Sequence, residues 1–262
     1  HTAVFIGGSD ISQGEALCKA AVDSFFGDTR VSVMLDSNGA NTTAAAAVLA
    51  AQRHVPLAGA IVTVLAGPGS GGRRGLPPLA PGGGRGPRPR RSRGSSRRLA
   101  GSVGRRVIRL LAREGARIRV TSRKLVHAEA TCDKLSLLLP QTECRPLAVD
   151  TPEAAVEAVS GAQLVIACGP PGVTLLPAGA LASCIGLQAA VDLNAAPPTG
   201  IADVKPSDRG VQRGGVECYG ALGVGSAKMK IHKAAVARLF TRSDLVLDAE
   251  EIYALAKDLD RR

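Results

Sequence analysis

Gly67-Pro-Gly-Ser-Gly-Gly72 stands directly behind the apolar run Ile61-Val-Thr-Val-Leu-Ala66. Glycines spaced G-x-G-x-x-G after a buried strand suit a phosphate cradle. The first allows the tight turn, the second lets the backbone approach a pyrophosphate, and the third lets the next helix pack closely on the strand. In a chain with 31 glycines the pattern alone is weak, and the strand before it gives it weight. The helix that should follow is missing at residue 73 and is met at Ser102. Leu99-Ala-Gly-Ser-Val-Gly-Arg-Arg106 echoes Leu65-Ala-Gly-Pro-Gly-Ser-Gly-Gly-Arg-Arg74. Joining Gly67-Pro-Gly69 to Ser102-Val103-Gly104 restores the same spacing. Gly67 and Gly69 are the fixed members of the turn, and either Gly104 or Gly72 completes it.

The following strand, Ile118–Thr121, ends in Ser122-Arg123-Lys124. An NAD enzyme usually carries an acid there for the ribose diol. A 2′-phosphate is repelled by an acid and held by Arg and Ser through charge-assisted hydrogen bonds. The cofactor read from these residues is NADP, with NAD left open because a basic residue does not by itself exclude it. Cys168-Gly169-Pro-Pro-Gly172 and Asn194 with Pro197 and Pro198 follow two further strands at the edge where such folds bind ligands. Asn194, Pro197 and Pro198 are expected to shape the nicotinamide pocket; the Cys168 loop either does the same or is an ordinary turn.

Strand-like and helix-like stretches alternate along most of the chain. Strands are expected at Ala3–Ile6, Val31–Leu35, Ile61–Ala66, Ile118–Thr121, Cys144–Ala148, Leu164–Ala167 and Ala189–Leu193. Helices are expected from Ser9 or Asp10 to about Phe26, Thr42 to about His54, Val103–Arg113, Leu125–Leu137, from Thr151-Pro-Glu onward, Lys228–Phe240 and Ala249–Asp260. This order predicts an α/β fold with a doubly wound parallel Rossmann sheet beside a smaller, truncated α/β domain. The expected division is 1–58 for the remainder of the small domain and 59–240 for the dinucleotide-binding domain. Residues 241–262 form a terminal helix returning to the small domain.

Apolar residues make up 45% of the chain and aromatics only 2%, so Ala, Val, Leu and Ile must build the core. The formal charge of +11 first suggests a nucleic-acid partner. Residues 71–101, however, hold nine arginines, nine glycines, five prolines and no acid; without them the charge falls to +2. The basic character belongs to that one segment, which reads as a disordered insert, and no nucleic-acid partner is expected. The six cysteines form no C-x-x-C pair and are read as buried free thiols in a reducing cytoplasm. The four histidines show no zinc spacing, so no metal is expected. No apolar run approaches membrane-spanning length, and no signal-peptide pattern is present.

Asp36-Ser-Asn-Gly-Ala-Asn-Thr-Thr-Ala-Ala45 resembles a signature of the bacterial NAD(P)-dependent methylene-tetrahydromethanopterin dehydrogenases. Val191-Asp-Leu-Asn-Ala-Ala-Pro-Pro-Thr-Gly-Ile201, Gly220–His232 and Asp248–Lys257 resemble three more, in the same order. The resemblance covers residues 1–70 and 102–262. It implies transfer of a hydride from the methylene bridge of 5,10-methylene-tetrahydromethanopterin to NADP or NAD. This asks little of acid–base groups, because the pterin nitrogens stabilise the cation that forms.

The resemblance also implies that Asp36, Ser37, Asn38 and Asn41 lie on the pterin side of the cleft and that Lys228 faces the pterin, with Lys230 and His232 as weaker candidates. Its further implications are a cytoplasmic homo-oligomer, trimeric or hexameric, and a start some sixty residues earlier in family members. Two other readings stay open: a methylene-tetrahydrofolate dehydrogenase, and an inactive NADP-binding remnant. A third, nucleic-acid binding through the arginine segment, predicts steeply salt-dependent binding.

Overall fold

The computed structural model describes residues 2–65 and 101–261. The phosphate-turn glycines Gly67, Gly69 and Gly72, and the arginine-rich segment up to residue 100, lie outside the described residues.

The chain opens with β1 (Ala3–Ile6), α1 (Ile11–Asp23), β2 (Ser32–Leu35) and α2 (Ala40–Gln52), then β3 (Ile61–Leu65). After residue 100 come α3 (Ser102–Arg113), β4 (Arg117–Ser122), α4 (Leu125–Leu138), β5 (Cys144–Ala148), α5 (Pro152–Val159) and β6 (Leu164–Ala167). They are followed by α6 (Ala180–Ser183), β7 (Ala189–Asp192), β8 (Arg209–Arg213), β9 (Val216–Tyr219), α7 (Ala221–Arg238), β10 (Val246–Leu247) and α8 (Ala249–Asp260). Asp10 caps α1 by accepting from the Gln13 amide, and Thr151 caps α5 with Pro152 in its first turn.

Seven strands form the larger sheet, in the order β5-β4-β3-β6-β7-β9-β8. All neighbours are parallel except β8 and β9. The chain winds outward from β3 to β4 and β5, then returns to β6 beside β3 and continues the other way. The strand order therefore reverses between β3 and β6, the doubly wound arrangement. A smaller parallel sheet, β1-β2-β10, takes its third strand from the carboxyl-terminal segment.

Helix α2 joins the two sheets. Eleven of its thirteen residues are buried, most of them alanines, which lets α3, α7 and α8 approach its backbone closely. One continuous core runs from Met34 through the α2 alanines to Val62, Leu110 and Ile252.

Two sequence readings need correction. Cys132 on α4 and Cys144 on β5 are joined as a disulfide rather than held as free thiols. The turn after α4 brings β5 back alongside it, with 5.5 Å between the two Cα atoms. Cys18, Cys168, Cys184 and Cys218 are free.

Helix α7 starts at Ala221 instead of Lys228. Its first turns contain Gly223 and Gly225, which obscure the helical signal. A side chain at Gly223 would collide with the carbonyl of Asp208.

The charged run Arg209–Arg213 forms a hairpin strand with β9 through Gly214 and Gly215, both at positive φ.

Candidate functional site

The carboxyl ends of four parallel strands lie in one row. Leu65 of β3 pairs with Thr121 of β4 and Ala167 of β6, and Ala167 pairs with Asp192 of β7. The loops leaving these strands therefore open on one edge, on both sides of the β3–β6 reversal.

Helix α3 presents its amino terminus at that edge. Gly101 caps it without a side chain, and a Cβ added there would lie 3.6 Å from the Cys168 carbonyl at the end of β6. Its first intrahelical bond joins the Arg105 amide to Gly101. The amides of Ser102, Val103 and Gly104 thus have no partner among the described residues. Unpaired amides at the positive end of a helix dipole suit a pyrophosphate.

Behind β4, Ser122 is buried, and Arg123 and Lys124 are exposed without an ion pair among the described residues. Nothing acidic neighbours them in sequence, so these donors suit an added phosphate on the ribose.

The loops after β6 and β7 brace each other. Asp192 is buried and accepts from the amides of Asn194 and Ile201, at 2.9 Å each. Burial pushes its carboxyl above the usual range, against the pull of those amides. Burial also pushes the Cys168 thiol up to about 12, with the Asp192 charge as a lesser cause, so it is a neutral thiol rather than a nucleophile. The Asn194 amide donates to the carbonyls of Pro170 (3.3 Å) and Pro198 (3.4 Å). Asn194 thereby fixes the loop that carries the cis Pro197–Pro198 bond, and Pro197 stands exposed on it. Gly169 lies against the Leu175 side chain.

On the smaller sheet, the loop expected to hold the carrier divides in two. Asp36 is buried, and one oxygen accepts from the amides of Asn41 (3.0 Å) and Thr42 (3.1 Å) while the other accepts from the Thr42 hydroxyl. Ser37 is buried and donates to the Gly7 carbonyl at 2.9 Å. Asn41 is fully enclosed, bonded to the Leu35 carbonyl, Asp248 and Arg106. These three were expected as ligands; their polar atoms are instead spent on shaping the loop and starting α2. Asn38 alone in the loop is exposed, held at φ 54°, a conformation Asn tolerates better than most residues.

Lys228, two turns into α7, leans on this loop, its ammonium filling the space a side chain at Gly39 would need. One turn on, His232 places Nδ1 3.4 Å from Asp36 and its ring edge-on to the exposed Phe5. Asn38, Lys228 and His232 thus converge, although 190 residues separate Asn38 from Lys228. Lys230 lies elsewhere, in a pocket with Arg53 and Tyr219.

Sequence reasoning missed Arg106 and Asp248. A basic residue in an apolar helix face and an acid before a helix were visible signals, but their common partner Asn41 was not.

The strand reversal, the open amino terminus of α3 and the basic turn after β4 define a dinucleotide-binding α/β protein of the dehydrogenase type. A family model described as "Methylene-tetrahydromethanopterin dehydrogenase, N-terminal" matches residues 1–38. The Bifunctional protein MdtA of Methylorubrum extorquens is 39% identical over 98% of this chain and 79% of its own length. The NAD(P)-dependent methylenetetrahydromethanopterin dehydrogenase of the same organism is 35% identical over 41% of this chain and 37% of its own. The chain belongs to the methylene-tetrahydromethanopterin dehydrogenase family.

Among solved structures, a transhydrogenase from Sinorhizobium meliloti has a TM-score of 0.49 at 17% identity, over 85% of this chain and 54% of that one. Quinate dehydrogenase from Corynebacterium glutamicum in complex with NAD has a TM-score of 0.45 at 14% identity, over 99% of each chain.

Proposed function

We propose that this protein oxidises the methylene bridge of a 5,10-methylene-tetrahydromethanopterin-type carrier to the methenyl form, with NADP as the preferred hydride acceptor and NAD as the other. One observation carries the reading. Arg106, in the second turn of α3, is bonded to Asn41 in the first turn of α2. The helix start suited to a dinucleotide and the loop suited to a carrier are therefore fixed side by side, as a two-ligand transfer requires.

When bound, the dinucleotide supplies the nicotinamide ring that takes up the hydride. The protein's residues hold and orient. The amides of Ser102, Val103 and Gly104 take the pyrophosphate, and Arg123 with Ser122 and Lys124 takes the ribose phosphate. The loops braced by Asp192 and Asn194, with Cys168 and Pro197, wall the ring from water. Asn38 and Lys228 meet the polar edge of the pterin. A neutral, half-buried Cys168 fits a reaction that needs no protein nucleophile.

The family resemblance extends the reading to a cytoplasmic homo-oligomer of three or six chains, which sedimentation would test. Among the described residues no helix is long and apolar enough to cross a membrane.

The deciding experiment follows reduced-nicotinamide absorbance with methylene-tetrahydromethanopterin, comparing NADP with NAD and methylene-tetrahydrofolate as second substrate. The chain is run beside one lacking residues 71–101. Turnover with the methanopterin carrier supports the reading. Absence of turnover from both chains, with NADP still bound, overturns it in favour of a binding remnant.

A further inference from the structure

A cavity of about 270 Å³ opens between α3 and α4. Its charged lining comes from Arg105, Arg106 and Arg109 on α3, Lys134 on α4, Glu15 on α1 and Asp248 ahead of α8. Ile108, Leu135 and Leu138 supply an apolar wall.

The charges do not cancel. Glu15 is paired with Arg106 at 3.0 Å and Asp248 with Arg109 at 3.2 Å, while Glu250 is shared between Arg109 and Arg113. Arg105 and Lys134 have no acidic partner among the described residues, so the cavity keeps two unmatched positive charges. The Arg106 side chain is itself only 8% exposed, and the buried Nε of Arg109 has no hydrogen-bond acceptor among the described residues. A buried donor without an acceptor is costly, and a cavity with low-dielectric walls strengthens the attraction for an anion.

We propose that this cavity binds a small phosphate monoester bearing an apolar group. The two unmatched cations correspond to the charge of a phosphate dianion. Phosphate oxygens match the spare donors, and the leucine–isoleucine wall receives the apolar part. A carboxylate would leave one cation unmatched, and a bare inorganic ion would leave the wall uncovered. The site is separate from the one suited to the ribose phosphate. Lys134 lies ten residues along α4 from Lys124, about 15 Å at 1.5 Å per residue. Its walls come from α1, α3, α4 and the cap of α8, so an occupant touches both the small-sheet unit and the helix that starts at the dinucleotide edge.

Phenyl phosphate is the probe, titrated calorimetrically into the full chain with and without saturating NADP. The expected result is one site that persists under NADP. Lys134→Glu should weaken it at least tenfold, and so should Leu138→Trp, which blocks the mouth from a position already 65% exposed. Arg123→Ala should leave it unchanged. The proposal is overturned if phenyl phosphate does not bind, if NADP displaces it, or if both cavity variants bind as tightly as the parent. Equal binding of benzyl alcohol removes the anion assignment, and equal binding of inorganic phosphate removes the apolar one. Because the cavity variants are read by binding alone, the result stands apart from whether the chain turns over a one-carbon carrier.

Discussion

Asn41 and Asp248, 207 residues apart in the chain, are hydrogen-bonded at 2.8 Å. The same Asn41 side chain accepts from Arg106 and donates to the Leu35 carbonyl, with no surface exposed to solvent. One carboxamide thus ties β2, α2, α3 and the cap of α8. Truncation by Asn41→Ala removes all three bonds and leaves the buried Nε of Arg106 without its acceptor, while Glu15 and the Ser102 carbonyl keep the rest of the guanidinium. A buried charge that loses a partner costs about 2–4 kcal/mol. Urea denaturation should show a loss of that size; a loss below about 1 kcal/mol, the worth of a single ordinary hydrogen bond, would mean the tie is dispensable.

The exposed Arg123 makes no ion pair among the described residues, so its removal should leave the fold intact. Arg123→Ala is expected to raise the KM for NADP by roughly ten- to a hundredfold, the worth of a charge-assisted hydrogen bond. The KM for NAD should stay within about twofold. Steady-state kinetics with both cofactors checks this. Equal losses with the two would move the 2′-phosphate away from this turn.

Much of this was legible from periodicity and punctuation. The strand Ile61–Leu65, the capped start at Thr151-Pro152 and the basic turn after β4 are local features, written in neighbouring residues. The roles of Asp36, Ser37 and Asn41 were not legible, because whether a polar side chain faces a ligand or its own backbone depends on distant packing. The hairpin 209–219 was missed because β8 is an exposed, charged strand with no apolar alternation. The Cys132–Cys144 bond depends on how β5 returns along α4, which spacing alone does not reveal.

Lys228 and Asn38 should separate from the residues that merely build the loop. Lys228→Met keeps the aliphatic stem against Gly39 and removes the charge. Asn38→Gly keeps the positive φ and removes the amide. Each is expected to raise the carrier KM about tenfold or more, the loss of at least one hydrogen bond to a polar ligand, with little change in NADP binding or melting temperature. Equilibrium binding of NADP beside carrier kinetics reads both quantities. An unchanged carrier KM in both variants would take the pterin away from this loop.

Asp208 and Arg213 give the hairpin a pH signature. The carboxylate is 4% exposed and bound by the guanidinium at 2.6 and 2.7 Å, with the Lys205 amide at 2.8 Å. The Arg213 hydrogen bonds hold its pKa below the ordinary 3.8. A depressed folded-state pKa means the stabilisation is complete above the unfolded value and is lost as pH falls through the folded one. Asp208→Asn should therefore cost about 1–2 kcal/mol at neutral pH, since the Arg213 left behind is part-exposed. The difference from the parent should shrink only below the ordinary aspartate range. Denaturation across an acid pH series tests it, and a constant difference down to the lowest pH would show that the lost shape, not the lost charge, is responsible.

The disulfide between Cys132 and Cys144 closes a short loop of 12 residues in separation. Loop-closure entropy for that length corresponds to about 3 kcal/mol of stability in the oxidised chain. A reducing compartment keeps such thiols unpaired, so the two forms should be compared directly. Urea unfolding with and without reductant is expected to differ by that amount in the parent. A Cys132→Ser, Cys144→Ser double variant should unfold like the reduced parent and ignore the reductant. Cys132 is buried against β5, so the reduced pair still packs and α4 should stay in place. NADP binding through Arg123 and Lys124 would then fall little on reduction even as stability drops. A large, parallel loss of NADP binding would instead show that the covalent bond, rather than packing, holds the start of α4 in position.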